Sequence, residues 1–216
     1  MVENILLDTD ILADWKNNND RLKGEFEELF LQEILPRLSE DMRNELAVDS
    51  ISFNKKYPAF HVLKESARLL GNRTQKNLHF NVDFVAEKVK VGISFYSNNL
   101  VEKFDSADKD EMYNILNGYN LRFTWGARPA GHHFRKIKGK EWTNQISKED
   151  FKNVIEKLVS MREEAKKVNK NHPACIISKI YDEEIRENEN TYCEKIAEGL
   201  ELLNPIYDYM NESLCN

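Results

Sequence analysis

Leu78–Phe95 reads LHFNVDFVAEKVKVGISF. Leu78, Phe80, Val82 and Phe84 alternate with polar residues, and after Glu87 and Lys88 the alternation resumes with Val89, Val91, Ile93 and Phe95. A period of two places successive side chains on opposite faces of a strand. Two such runs on either side of a charged turn predict an antiparallel hairpin with one face buried.

Downstream, Ser106–Gly118 reads as a helix with acids near its positive end and a closing glycine. Leu121, Phe123 and Trp125 alternate again, and Phe134 and Ile137 flank a second basic strand across the glycine- and proline-bearing loop GARPAG. From Ser147 the chain turns helical. Ser147 and Asp150 form an approximate capping box, and Phe151, Val154, Ile155, Leu158 and Met161 make an apolar stripe. After a break at Asn169–Pro173, further helices are expected over Ala174–Glu187 and Tyr192–Leu203, with a last short one from Pro205.

Upstream, Asn17–Asp20 reads as a polar break. Phe26, Leu29, Phe30, Ile34 and Leu38 then recur at helical spacing to about Leu35, where Pro36 kinks or ends the helix. A shorter helix should follow Ser39. Pro58 suits the first position of another, with Phe60, Leu63, Ala67 and Leu70 on one face and Gly71 closing it. The expected fold class is α+β: an antiparallel sheet of two hairpins packed against helices, with a helical N-terminal segment and a helical C-terminal tail. Natural divisions are an acidic segment 1–50, an α+β core 51–168 and a tail 169–216, which can also form one domain.

The 216 residues can bury a core. The net charge of −6 is uneven: residues 1–50 hold 13 acids against 5 bases, residues 51–142 hold 9 against 16, and residues 143–216 hold 15 against 10. The positive middle is densest in Leu121–Trp142, LRFTWGARPAGHHFRKIKGKEW, where Arg122, Arg128, Arg135, Lys136, Lys138 and Lys140 face a single acid, Glu141. Aromatics lie among them. Such a cluster in an acidic chain points to an anionic partner, nucleic acid or an acidic protein. Arg122, Arg128, Arg135, Lys136, Lys138 and Lys140 would supply phosphate contacts, with Trp125, His132 and His133 as further candidates for contact with bases. Lysines on an edge strand also discourage pairing between molecules, which accounts for part of the same pattern with no partner at all. Adjacent histidines on a strand point to opposite faces, so His132 and His133 do not suit one metal ion.

Cys175, Cys193 and Cys215 are odd in number and form no CxxC pair, which argues against a disulfide framework or a structural zinc site. No metal and no cofactor is implied. No apolar run reaches membrane-spanning length and no secretory signal opens the chain, so the expectation is a cytoplasmic protein without a membrane partner. Association of copies through the acidic helices is a further expectation.

The stretch from about Leu78 to Val168 resembles a bacterial α+β domain found alone or fused behind restriction-type nuclease modules. The resemblance rests on KVKVGISFYS, DKDEMYNILNGY, NLRFTW, HHFRKIKG and KEDFKNVIEKLV in that order. It implies an accessory domain in a DNA-defence setting with no assigned activity. A metal-dependent nuclease is the alternative. Asp83, Glu87, Lys88 and Lys90 offer carboxylates for an ion and cations for developing charge. ILLDTDILADW (5–15) is also similar to the first strand and turn of PIN-type ribonucleases, which implies Asp8 as a metal ligand, with Glu45 as a second at a plausible spacing. No catalytic signature names a reaction.

Overall fold

The structure is a computed structural model that describes residues 14–54, 58–69, 78–85, 88–95, 108–118, 121–129, 138–142, 147–168, 171–181 and 189–215. It is an α+β protein with one seven-stranded sheet. Helix α1 (Trp15–Leu29) continues into a π-helical turn, Phe30–Ile34, and a 3-10 turn, Leu35–Arg37; α2 (Glu40–Glu45) follows. Next come β1 (Ser52–Phe53), β2 (Ala59–Val62), α3 (Glu65–Leu69), β3 (His79–Val85) and β4 (Lys88–Phe95). Then α4 (Lys109–Gly118), β5 (Arg122–Pro129), β6 (Lys138–Trp142), α5 (Lys148–Val168), β7 (Asn171–Tyr181) and α6 (Glu189–Cys215) complete the described elements.

The hairpin read from Leu78–Phe95 is present, with Val82 opposite Val91 and Phe84 opposite Val89. β5 also pairs with β6, Trp125 opposite Lys140, but Gly126–Pro129 of the expected GARPAG loop belong to β5 and the partner strand is Lys138–Trp142, because pairing with β7 extends β5 to Pro129; Phe134 and Ile137 lie outside the described residues. The two hairpins do not adjoin. The strand order is β1-β2-β3-β4-β7-β5-β6, and every pairing is antiparallel. β7 therefore replaces the helix expected over Ala174–Glu187. Its isoleucines at 176, 177 and 180 favour a pleated surface, and pairing with β4 and β5 along its length outweighs a weak helical periodicity.

β4 and β5 both run antiparallel to β7, hence parallel to each other, and β6 and β7 are related in the same way through β5. Such connections need crossovers, which α4 and α5 provide. Right-handed crossovers put both helices on one side of the sheet. They touch there: the rings of Tyr113 and Phe151 lie 5.9 Å apart, and Asp110 pairs with Lys152 at 2.7 Å and Lys148 at 3.1 Å. Those lysines hold the Asp110 carboxyl below its ordinary range. Tyr209 of α6 donates to the Asp108 carbonyl at the start of α4.

The cap expected at Ser147 and the helix expected after Ser39 are both present. Ser147 Oγ accepts from the Asp150 amide and donates to its carboxylate, and Ser39 Oγ accepts from the Met42 amide.

Three further expectations need correction. Asn17–Asp20 is no break but part of α1, with Asn17 and Asp20 exposed while Trp15, Leu22, Phe26 and Leu29 are buried. The helix proposed from Pro58 is strand β2, because the Pro58 carbonyl accepts from the Phe84 amide and Phe60 enters a ring cluster with Phe26, Phe30, Phe53 and Phe84. A helix starts only at Glu65; Leu70 and Gly71 lie outside the described residues. Pro205 does not begin a helix but sits within α6, where Leu200, Leu203, Ile206, Tyr207 and Met210 all reach the core. Pro36 does act as expected. Its ring and missing amide hydrogen disfavour a normal turn, and the Leu35 amide donates five residues back to Phe30.

One helical layer thus covers the side of the sheet carrying Phe80, Val82, Val91 and Ile177, all buried. The acidic N-terminal segment and the C-terminal tail both belong to this core: Phe26 lies 5.2 Å from Phe84, Tyr207 stacks on Phe80 at 4.5 Å, and Tyr192 on Phe84 at 5.9 Å. Among the described residues no helix is long and apolar enough to cross a membrane.

Gly199 is where α6 presses closest to the sheet; a Cβ there would stand 2.8 Å from Val91 Cβ. Gly199→Ala should therefore lower stability by about 1–3 kcal/mol despite the better helix propensity of alanine. At Gly24 of α1 a Cβ meets nothing within 4 Å. Gly24→Ala should raise stability by about 0.5–1 kcal/mol, both values being read from urea denaturation.

Candidate functional site: the helix-free side of the sheet

The register distributes the predicted site residues. Arg122, Trp125 and Arg128 lie on β5, and Lys138 and Lys140 on β6. His132, His133, Arg135 and Lys136 lie outside the described residues. Arg122 pairs with Ser178, Thr124 with Ile176 and Glu141, Gly126 with Ala174 and Gly139, and Arg128 with His172. These positions share one side of the sheet. Position 123 pairs with buried Ile177 and with Trp142, position 125 with Cys175 and Lys140, and position 127 with Lys138. They fall on the other side, the one that the helices cover. The strands therefore bring positions 122 and 128 to one side, and positions 138 and 140 to the other with 125.

The row through Arg122 continues across the sheet. Ser178 is opposite Gly92, Gly92 opposite Asn81, Asn81 opposite His61, and His61 opposite Ser52. The row is polar, but its neighbours on the same side include Ile176, Ile180, Ala174 and Ala59; none of the described helices is assigned to this side. His79 and Asn81 are buried, and the rings of His61 and His79 meet edge to face at 4.9 Å. Ser178 is fully buried, and its Oγ has no hydrogen-bond partner. A hydroxyl in that position is an exception in folded proteins. His79, Asn81 and Ser178 are absent from the sequence-based list of candidates. The alternation that marked Phe80 and Val82 as core also marks His79 and Asn81 as the opposite face, so the signal was present for two of the three.

The nuclease alternative draws on other groups. Asp83 sits on β3 opposite Lys90 and Ala59, whereas Asp8 and Glu87 lie outside the described residues. Glu45 is engaged elsewhere: its Oε2 accepts from Lys64 Nζ at 2.6 Å, and the same ammonium donates to Asp208 Oδ1 at 2.5 Å. Among the described residues no group of three or more His, Cys, Asp or Glu side chains is arranged to hold a metal ion.

The Lys64 cluster is a fastening between chain ends. Lys64 is only 2% exposed, and its Nζ lies 5.5 Å from the Tyr207 ring centre. The Tyr207 hydroxyl accepts from the Lys64 amide and donates to the Leu78 carbonyl, joining α6 to the ends of β2 and β3. Burial pushes the Tyr207 phenol well above its ordinary value.

Family models, curated proteins and solved structures were all compared with the chain, and none matches.

A raised phenol pKa favours the neutral form in the folded state. Its contribution to stability is complete below the ordinary tyrosine value of 10.0 and is lost as pH rises beyond it, because the unfolded chain ionises first. Tyr181 adds to this in the same direction, through burial and the nearby Glu198. Denaturation followed against pH should show stability falling above about pH 10. Tyr207→Phe should cost about 1–3 kcal/mol at neutral pH by stranding the Leu78 carbonyl, and should make the alkaline decline shallower.

Proposed function

We propose that this chain is a non-catalytic binding module that presents its β5–β6 region to the phosphate backbone of nucleic acid. The observation carrying this reading is that the most cation-rich stretch of an acidic chain is a paired hairpin at one end of the sheet, with β6 outermost. The strands set the backbone spacing of positions 122, 128, 138 and 140, and cations held on strands bind an anion with less ordering cost than cations on a free loop. Phosphate contacts of this kind carry no sequence information, so binding would be largely independent of base sequence. An accessory role beside nuclease modules in DNA defence, implied by the resemblance of residues 78–168, is compatible with such a module.

Binding to a labelled duplex and to a labelled single strand should weaken steeply with added salt. The slope of log affinity against log salt should be about −0.9 per neutralised phosphate on duplex and about −0.7 on a single strand. Replacing Arg122, Arg128, Arg135, Lys136, Lys138 and Lys140 together by glutamine should abolish the retarded band. An unchanged band in that variant, or tighter binding to polyglutamate than to either oligonucleotide, would count decisively against nucleic acid as the partner.

A further inference from the structure

We infer that the phosphate backbone crosses the strand ends where β5 finishes and β6 and β7 begin, and that Lys166 and Lys167, at the end of α5, belong to the same site as the basic hairpin. This inference rests on the proposed nucleic-acid binding and brings in residues that lie outside the cation-rich stretch itself.

The placement comes from the register. β5 ends at Pro129, opposite Asn171, the first residue of β7, and Arg128 is opposite His172. On the other edge of β5, Ala127 is opposite Lys138, the first residue of β6. Neighbouring strands lie about 5 Å apart, so positions 138, 127, 128 and 172 form a row roughly 10 Å wide. α5 ends at Val168, and only Asn169 and Lys170 separate it from Asn171. Three peptide units span at most about 11 Å, which holds the last turn of α5 beside that row.

Both runs that meet there are cationic and free of acids. From Arg128 to Lys138 the sequence is RPAGHHFRKIK, and from Lys166 to His172 it is KKVNKNH. The nearest acids along the chain are Glu141 and Glu164. Ala165 and Val168 continue the spacing of buried Phe151, Val154 and Ile155, so positions 166 and 167 fall outside the apolar stripe of α5. Lysines in the last turn of a helix also complement its dipole. That accounts for positions 166 and 167 but not for the second acid-free run set next to them by strand pairing.

The other ends of the same strands carry the opposite charge. β7 runs on from Tyr181 into the sequence DEEIREN (182–188). The close of the β3–β4 hairpin, Val85 opposite Lys88 with Glu87 between them in sequence, falls at that end, because Val89 is opposite Tyr181. The length of β7 sets the two ends about 33 Å apart, several screening lengths at physiological salt. A polyanion is therefore drawn to one end of the strands and repelled from the other.

The test titrates a labelled oligothymidine of about 20 bases into the wild type, K166Q/K167Q, K166R/K167R and R43Q/K157Q over a range of salt. Arg43 and Lys157 are exposed positions of α2 and mid-α5, so the last variant removes the same charge elsewhere. K166Q/K167Q should bind about tenfold more weakly at low salt, and its salt slope should be shallower by about 1.4, two phosphates' worth. K166R/K167R should stay within about twofold of wild type, since a phosphate contact needs the charge and either residue supplies it. R43Q/K157Q should do the same.

Amide shifts of the wild type on adding oligothymidine give a second measurement, should K166Q/K167Q fail to fold. The largest changes should fall at Arg128, Lys138, Lys167 and His172. Unaltered affinity in K166Q/K167Q overturns the inference, as does an equal loss in K166R/K167R or R43Q/K157Q. Shift changes largest at Arg122 and Tyr181 overturn it as well. In each of those cases the wild type still binds and the proposed function stands. If the wild type does not bind the oligonucleotide at any salt, nucleic-acid binding itself fails and this assignment falls with it.

Discussion

The pairing of β7 with β4 on one edge and β5 on the other is the constraint from which the rest of the architecture follows. Without it the chain holds two hairpins with no common sheet: β3–β4 in the middle of the sequence and β5–β6 after it. With it, the register of β5 is fixed through Ser178 to Gly92 and Asn81, so the sidedness of every position on β5 and β6 is set by strands far away in sequence. A slip of one residue in β7 would exchange the two sides of the sheet for the whole β5–β6 hairpin.

The helical layer reinforces the same sidedness. Each crossover, β4 to β5 through α4 and β6 to β7 through α5, leaves a one-strand gap that the other fills, so neither unit is complete alone. Helix α6 then closes the layer over β4 at Gly199 and ties the last part of the chain to β2 and β3 through Tyr207, Asp208 and Lys64. The ammonium of Lys64 is buried between two carboxylates that keep access to water. The cost of burying a charge is offset by two close partners, and the carboxylates lose little hydration. Among the described residues Leu31 is the exposed large apolar side chain, so these helices spend their apolar surface on the sheet.

What could be read from the sequence was what short-range periodicity encodes. Both hairpins, the α4 and α5 helices, the short helix after Ser39, the Ser147 cap and the disturbance at Pro36 depend on neighbours a few residues away. The misread segments depend on distant partners. Ala59–Val62 has apolar spacing that suits either a helix or a strand; only β1 and β3 on its two edges decide for a strand. Asn171–Tyr181 is apolar on both faces for much of its length, as a central strand tends to be, and such a run gives no period by which to tell it from a buried helix. Helix α6 passes through Pro205 because core contacts before and after it outweigh one lost backbone hydrogen bond. At the candidate site, the charges of Leu121–Trp142 were legible, but the distribution of those charges between two sides was not. That distribution comes from the β5–β6 register, in which Trp125 meets Lys140 and Thr124 meets Glu141, and no local rule sets it across an eight-residue connection.

The separation of cations onto two sides has an electrostatic consequence. At physiological ionic strength charges are screened over about 8 Å, comparable to the thickness of a sheet with its side chains. A polyanion resting on one side therefore interacts with that side's charges at contact strength and with those of the other side only weakly.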